Sequence, residues 1–266
     1  VEEGTGFLTG DLSGGFWNGA DNTLAAFQEI DVDASIGNVT VTGGEDFTLS
    51  ISSDTTLGGY SLEWEVKDGV LKIRDGGSMG HLTINSLEDF KNIFGVNASA
   101  MDVGITVPEQ FMLTKVEIKT DLGDVFLSDL DVEKKLKAET SLGDVECYTL
   151  RAYDGVELKS GLGDVECYGL RAQKKAELKT GAGDVALGLD ELLDGLDIEV
   201  KSGAGQIDAS LNCPERDCRY EAKSGLGAVT VDGVARGSKA TRGGSAPYKL
   251  ELSSGTGDVN LSFQDG

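Results

Sequence analysis

The residues best placed to do chemistry are acids that recur in register. Asp124, Asp144, Asp164 and Asp184 stand 20 residues apart, and Asn38 and Asp258 occupy equivalent contexts. Carboxylates stacked one strand spacing apart repel each other unless something compensates them. Calcium would compensate, because it takes several oxygen ligands. The other reading is an Asx turn at each bend, with the side chain serving the local backbone. The column is interrupted at Gln206 and Ala228, and the Gly-Gly-rich calcium repeat is missing from it. The turn reading is adopted, and no metal or cofactor is assigned.

Two further columns run side by side. Glu117, Glu157, Glu177, Glu199 and Glu221 neighbour Lys119, Lys159, Lys179, Lys201 and Lys223, with the order reversed at Lys137 and Glu139. The reversal sets opposite charges above and below one another, worth about 0.2–1 kcal/mol per pair. This reads as a solvated charged face tuned for register; a face for an anionic ligand is the alternative. Cys147 and Cys167 fall in one slot of successive repeats and read as small buried hydrophobes. Cys213 and Cys218, in NCPERDCR, bracket a loop that a disulfide would close in an extracellular setting. Sequence leaves that bond open.

Enzyme motifs are weak. Residues 76–80, GGSMG, fit GxSxG, but a nucleophile elbow needs a strand before it and a helix after it. The single His81 is adjacent, where it cannot act as the base of such a triad. No HExxH, Walker A or dinucleotide fingerprint occurs. No catalytic residue is assigned, and the chain is expected not to be an enzyme. A polysaccharide-active enzyme is the enzymatic rival. Coils of about 20 residues leave little chain for a cleft, and 6% aromatic residues offer few sugar-stacking platforms.

Charge narrows the partners. A formal net charge of -23 over 266 residues argues against nucleic acid and against anionic lipid, which both need clustered Lys and Arg. No apolar run is long enough to span a bilayer, and no signal peptide opens the sequence.

The elements that must position these columns are repeats. VEIKTDLGDVFL starts at Val116, LKAETSLGDVEC at Leu136, VELKSGLGDVEC at Val156 and AELKTGAGDVAL at Ala176. IEVKSGAGQIDA, YEAKSGLGAVTV and LELSSGTGDVNL follow from Ile198, Tyr220 and Leu250, with an outlying IDVDASIGNVTV at Ile30. Alternation within each copy has the period of a strand with one buried face. A Gly-containing corner separates two such strands. One inward column reads Ile118, Ala138, Leu158, Leu178, Val200, Ala222, Leu252, and another reads Val125, Val145, Val165, Val185, Ile207, Val229, Val259. Thr120, Thr140, Ser160, Thr180, Ser202, Ser224 and Ser254 line the corner, where hydroxyls can satisfy backbone groups.

Such units cannot bury their apolar faces alone and must stack. The expected fold is all-β, a single-stranded parallel β-helix or β-solenoid with one coil per 20–22 residues. Residues 1–23 read as a linker or poorly ordered lead-in. Residues 24–266 read as one domain, with irregular coils or a cap over 24–115 and regular repeats over 116–266. Asp68-Gly69 marks a hairpin. Residues 86–95 predict a short helix, with Ser86 as N-cap and Gly95 as stop. The last coil, ending in charge, predicts a weakly protected C-terminal edge.

FQEIDVDASIGNVTVTGGEDFTLSIS, YSLEWEVKDGVLKI and ITVPEQFMLTKVEIKTDLGDVFLSDL resemble a bacterial adhesin family built on a domain of unknown function with repeated SGxGDV coils. The resemblance covers about residues 27–266. It implies a right-handed β-helix and an envelope or secreted location, with an N-terminal membrane anchor outside this chain. It brings no catalytic residues.

The function expected is that of a non-catalytic cell-envelope or surface protein, an adhesin-like binding module. Its ligand, a protein or polysaccharide, is unidentified. The alternative is a self-associating structural or regulatory scaffold, since solenoid ends are open edges. Irregular segments at 76–100, 212–219 and 232–248 are the expected contact regions.

Overall fold

The computed structural model describes residues 5–7, 23–53, 61–76, 101–192 and 195–264. These form two long sheets, mostly of parallel strands, to which each regular repeat contributes one strand apiece. Lys115–Leu122, Lys135–Leu142, Gly155–Leu162, Lys175–Ala182 and Asp197–Ala204 lie in the first sheet. Val125–Val132, Val145–Ala152, Val165–Ala172, Val185–Leu192 and Ile207–Leu211 lie in the second. Register is in phase with the repeat, so Val125 pairs with Val145 and Val145 with Val165. Both inward columns read from the sequence are buried. At about 4.8 Å per strand, identical side chains stack directly on one another.

Three successive repeats bend a second time within the second-sheet strand. Besides the glycine corner, Asp129 and Thr149 adopt left-handed backbone at φ 55° and 52°, and Gly169 does so at 67°. The bend resets alternation, so that Val125 and Leu127 before it and Leu130 and Val132 after it all point inward. Asp, Thr and Gly share no side-chain chemistry here, which hid the second bend from the sequence.

The order of stacking departs from the order of the chain at both ends. The last coil, Tyr248–Thr256 with Val259–Phe263, is not terminal. It lies between the 197–211 coil and the coil of Cys218–Leu226 and Val229–Val231. At the other end, Glu29–Ile36 and Asn38–Gly44 lie between the 115–132 coil and an outer layer of Val70–Gly76 and Met101–Pro108.

Both outer layers finish in antiparallel strands. Ser61–Lys67 folds back on Val70–Gly76 through Asp68-Gly69, as the sequence predicts, and Thr48–Ser53 covers Met101–Pro108. At the far end Lys239–Arg242 and Val234–Ala235 cover the last parallel strands. Val234–Ala235 and Lys239–Arg242 are short, and the second carries charge at both ends, features that resist further pairing. The weakly protected C-terminal edge expected from sequence is therefore corrected. The segment at 232–248, expected as a contact region, forms the cap. Within the lead-in, Thr5–Phe7 pairs with Ser61–Lys67.

The expected helix at 86–95 lies outside the described residues. Among those described the only helical turn is a 3-10 turn at Glu215–Asp217.

Candidate functional site

Three ladders meet at the glycine corner. Each corner hydroxyl donates to the glycine carbonyl of the neighbouring coil: Thr140 to Gly123 at 2.8 Å, Ser160 to Gly143, Thr180 to Gly163 and Ser254 to Gly205 at 2.7 Å. This agrees with the role read for the hydroxyl column. The glycines at 123, 143, 163, 183, 205 and 257 hold φ between 137° and 158°. The aspartates form the third ladder. Asp144 N–H donates to the Asp124 carboxylate at 2.9 Å, Asp164 N–H to Asp144 and Asp184 N–H to Asp164 at 2.7 Å, and Gln206 N–H to Asp184 at 2.6 Å.

The carboxylates thus serve the next coil, not their own turn as expected. One backbone donor per carboxylate offsets part of the like-charge repulsion that pointed to calcium. Stacking order also explains the break at Ala228. Its N–H donates to Asp258 at 2.8 Å, and it lies on the outermost parallel coil, where no further coil presents an N–H. Among the described residues, no three His, Cys, Asp or Glu side chains gather as a metal site.

The outer face of the first sheet neutralises itself. Lys159 Nζ lies 3.2 Å from Glu177 and 3.8 Å from Glu139, and also bonds Glu157. Lys179 bridges Glu177 at 2.8 Å and Glu199 at 3.0 Å. The reversal at Lys137 and Glu139 pairs opposite charges across coils, as the sequence predicts. From Glu157 onward glutamate stacks on glutamate. There a column missed in sequence, Lys135 and Lys175, supplies the compensation: Lys135 bonds Glu157, and Lys175 reaches Glu177 at 2.5 Å and Glu199 at 3.3 Å. Gly155 interrupts that column and leaves a depression of about 440 Å³ between the lysines. An anion entering it would compete with carboxylates already in place.

This network predicts acid sensitivity. Burial pushes the Glu177 carboxyl up, but hydrogen bonds from Lys175, Lys179 and Lys159 outweigh it and bring it to about 2. Hydrogen bonds from Lys201, Lys179 and Lys175 against opposing burial bring Glu199 to about 2 as well. Both folded values lie below the ordinary 4.5. The stabilisation is therefore complete above pH 4.5 and lost as pH falls towards 2. Denaturation midpoints measured across that window should fall more steeply for the native chain than for Glu177→Gln/Glu199→Gln. Parallel curves would show that the network contributes nothing.

The second sheet is different. Phe126, Tyr148 and Tyr168 form a row on its outer face, with ring centroids 5.7 and 5.8 Å apart and the tyrosines stacked at 25°. The next coil offers only Gly188, where a Cβ would lie 3.1 Å from the Tyr168 ring. Tyr168 is 41% exposed. Glu146 and Glu166 stack in register between this row and the aspartate ladder. Among the described residues no Lys or Arg pairs with either. Burial, then repulsion from Glu166, Asp144 and Asp124, pushes the Glu146 carboxyl up. Arg151 and Arg171, beyond the tyrosines, are committed to Asp131 at 3.2 Å and Glu191 at 3.3 Å.

On the other side of the aspartates runs an apolar ridge. Leu122, Leu142 and Leu162 are in register, in line with the buried Ile36, and Leu162 is 54% exposed. Neither row nor ridge was picked out from sequence. The 20-residue recurrence of Tyr148 and Tyr168, and of Leu122, Leu142 and Leu162 before the second glycine, was the available signal.

The cysteines fall where expected. Cys147 pairs with Cys167 in the core, and burial first, then the neighbouring thiol, pushes the Cys147 thiol up. The Cys213 and Cys218 sulfurs are 3.4 Å apart, in contact as free thiols. From the strand that follows, Tyr220 donates to Glu215 of this loop at 2.7 Å. The serine of GGSMG and His81 lie outside the described residues.

These features define an all-β repeat protein of two stacked-strand sheets, one outer face charge-paired and the other acidic and aromatic. The chain belongs to the Toastrack DUF4097 family, whose profile matches residues 27–265. No curated protein matches the sequence. Among solved structures it is similar to a candidate adhesin from Bacteroides fragilis, at 19% identity and a TM-score of 0.43, covering 91% of this chain and 94% of that one. It is also similar to a candidate cell adhesion protein from Clostridium sporogenes, at 13% identity and a TM-score of 0.40, covering 99% of both chains. A third, a candidate lipid binding protein from Parabacteroides distasonis, has 13% identity and a TM-score of 0.41, covering 99% of this chain and 97% of that one.

Proposed function

We propose that this chain is a non-catalytic binding module of the bacterial cell envelope or surface, held on a right-handed β-helical scaffold. The handedness rests on the general rule that parallel crossover connections are right-handed. The envelope location rests on the family resemblance. One observation carries the binding reading: among the described residues, the second sheet leaves part-exposed tyrosines, and glutamates that no Lys or Arg pairs with, on a rigid face, whereas the first sheet pairs its Glu and Lys columns. Rigid, exposed aromatic surface is what interfaces use as anchors. The alternative, a self-associating scaffold, relied on open solenoid ends, and antiparallel strands cover both. The test is solid-phase binding of the purified chain to envelope polymers, envelope extracts and host matrix proteins, alongside sedimentation over a concentration series. Saturable binding by a monomer supports the module. Growth in mass without any ligand supports the scaffold.

A further inference from the structure

We propose that the strip across the glycine corner, from the leucine ridge at the end of the first sheet to the tyrosine row of the second, receives a basic amphipathic peptide segment of a partner protein; the proposal rests on the binding-module reading above. The strip has three parallel components within one corner. Leu142 and Leu162 offer apolar surface. Asp144, Asp164, Glu146 and Glu166 offer negative charge, and none is ion-paired with Lys or Arg among the described residues. Tyr148 and Tyr168 offer ring faces and edges 5.8 Å apart.

Each component restricts the occupant. The carboxylates select positive charge, and the chain's net charge of -23 steers it there. One oxygen of each aspartate already accepts an N–H from the next coil, so Glu146 and Glu166, with both oxygens uncommitted, are the stronger partners for a cation and the second aspartate oxygens add to them. Tyrosine faces beside them favour Arg and Lys through cation–π attraction. The leucine ridge rewards a ligand that carries apolar side chains on a second face. Oligocations without apolar groups would leave the ridge wet, and a neutral glycan would use the tyrosines but leave the glutamates uncompensated. An amphipathic basic peptide satisfies all three.

The probe is a synthetic Leu/Lys amphipathic peptide, titrated calorimetrically into the full chain. A Leu/Glu counterpart, oligolysine and a neutral β-glucan oligosaccharide serve as comparisons. The Leu/Lys peptide should bind one to one and oligolysine roughly tenfold more weakly; the other two should not bind. Tyr148→Ala/Tyr168→Ala should weaken binding roughly tenfold. Should that variant fail to fold, Glu146→Gln/Glu166→Gln, close in shape, should weaken binding by a similar factor and flatten its salt dependence. Undiminished affinity in the folded variants overturns the proposal. So does equal affinity for oligolysine, which would mean diffuse attraction to an acidic protein, or preference for the glucan. The envelope and matrix panel is run on the same variants. Panel binding that survives them removes this strip and leaves the module standing; no binding by native chain to panel or peptide removes both.

Discussion

Gly163→Ala should destabilise the fold by roughly 3–5 kcal/mol, whereas Gly161→Ser, two residues away, should cost about 1 kcal/mol or less. The contrast follows from the corner. Gly163 has φ 146°, and a Cβ there would overlap the Gly143 carbonyl oxygen, closer than real Cβ atoms approach. That carbonyl cannot retreat, because Ser160 donates to it at 2.7 Å and the coil beneath repeats the arrangement. Backbone strain and lost inter-coil bonding therefore add. At Gly161 a Cβ would lie 2.5 Å from the Ser141 carbonyl oxygen, which also looks severe. The chain itself shows otherwise: the equivalent position is Ser35, Asp121 and Ser141 in other coils, while the second position is glycine in all of them. Gly233→Ala separates strain from overlap, since it combines φ 72° with open space and should cost only the strain, about 1 kcal/mol. Urea denaturation of the three variants measures this. A mild Gly163→Ala would mean that the corners can widen, and the close inter-coil packing described above would be wrong.

How far the molecule was legible depends on whether a feature repeats. The inward valine column, the corner hydroxyls and the reversal at Lys137 and Glu139 could be read because each recurs at the coil period and has a local chemical role. The aspartate ladder was visible, but its purpose was not. An Asx turn and a bond to the next coil use the same residue at the same place, and only the register shows the carboxylate of Asp144 facing the N–H of Asp164. The aromatic row eluded composition altogether. Few aromatics are present, yet a spacing of one coil brings two tyrosines into contact, and Phe126 joins them diagonally from the neighbouring column, pairing in register with Glu146. Stacking order at the ends was illegible for a different reason. Repeats are alike by construction, so every coil is a plausible neighbour of every other. The order depends on which coils carry the antiparallel strands at 61–67 and 239–242.

That order makes the last coil a keystone. Deleting residues 246–266 should strip protection from Cys218–Leu226 as well as remove its partner. In the native fold Cys218–Leu226 pairs along its length with Tyr248–Thr256, and Val229–Val231 pairs with Val259–Leu261. Leu250, Leu252, Val259 and Leu261 are buried between the two flanking coils. Burying side chains of this size contributes roughly 1.5–3 kcal/mol each. Ordinary loss of a terminal repeat removes one interface and leaves the others intact. Here two interfaces go, and the 218–242 coil with its cap is left with no parallel neighbour. It could descend one level onto Asp197–Ala204, since Ser224 would then meet Gly205 as Ser254 does now. The side chains oppose this. Ala222 would then take the place of Leu252 on Val200, and a side chain three carbons smaller leaves that slot underfilled. Tyr220 would also lose its ring contact with Phe263, 5.8 Å away. Hydrogen exchange resolves the two cases amide by amide. Exchange at 218–226 approaching the unfolded rate, with protection kept at 155–182, is the expected result. Retained protection at 218–226 would mean that the coils are interchangeable, and that their inverted order at this end contributes nothing to holding the cap.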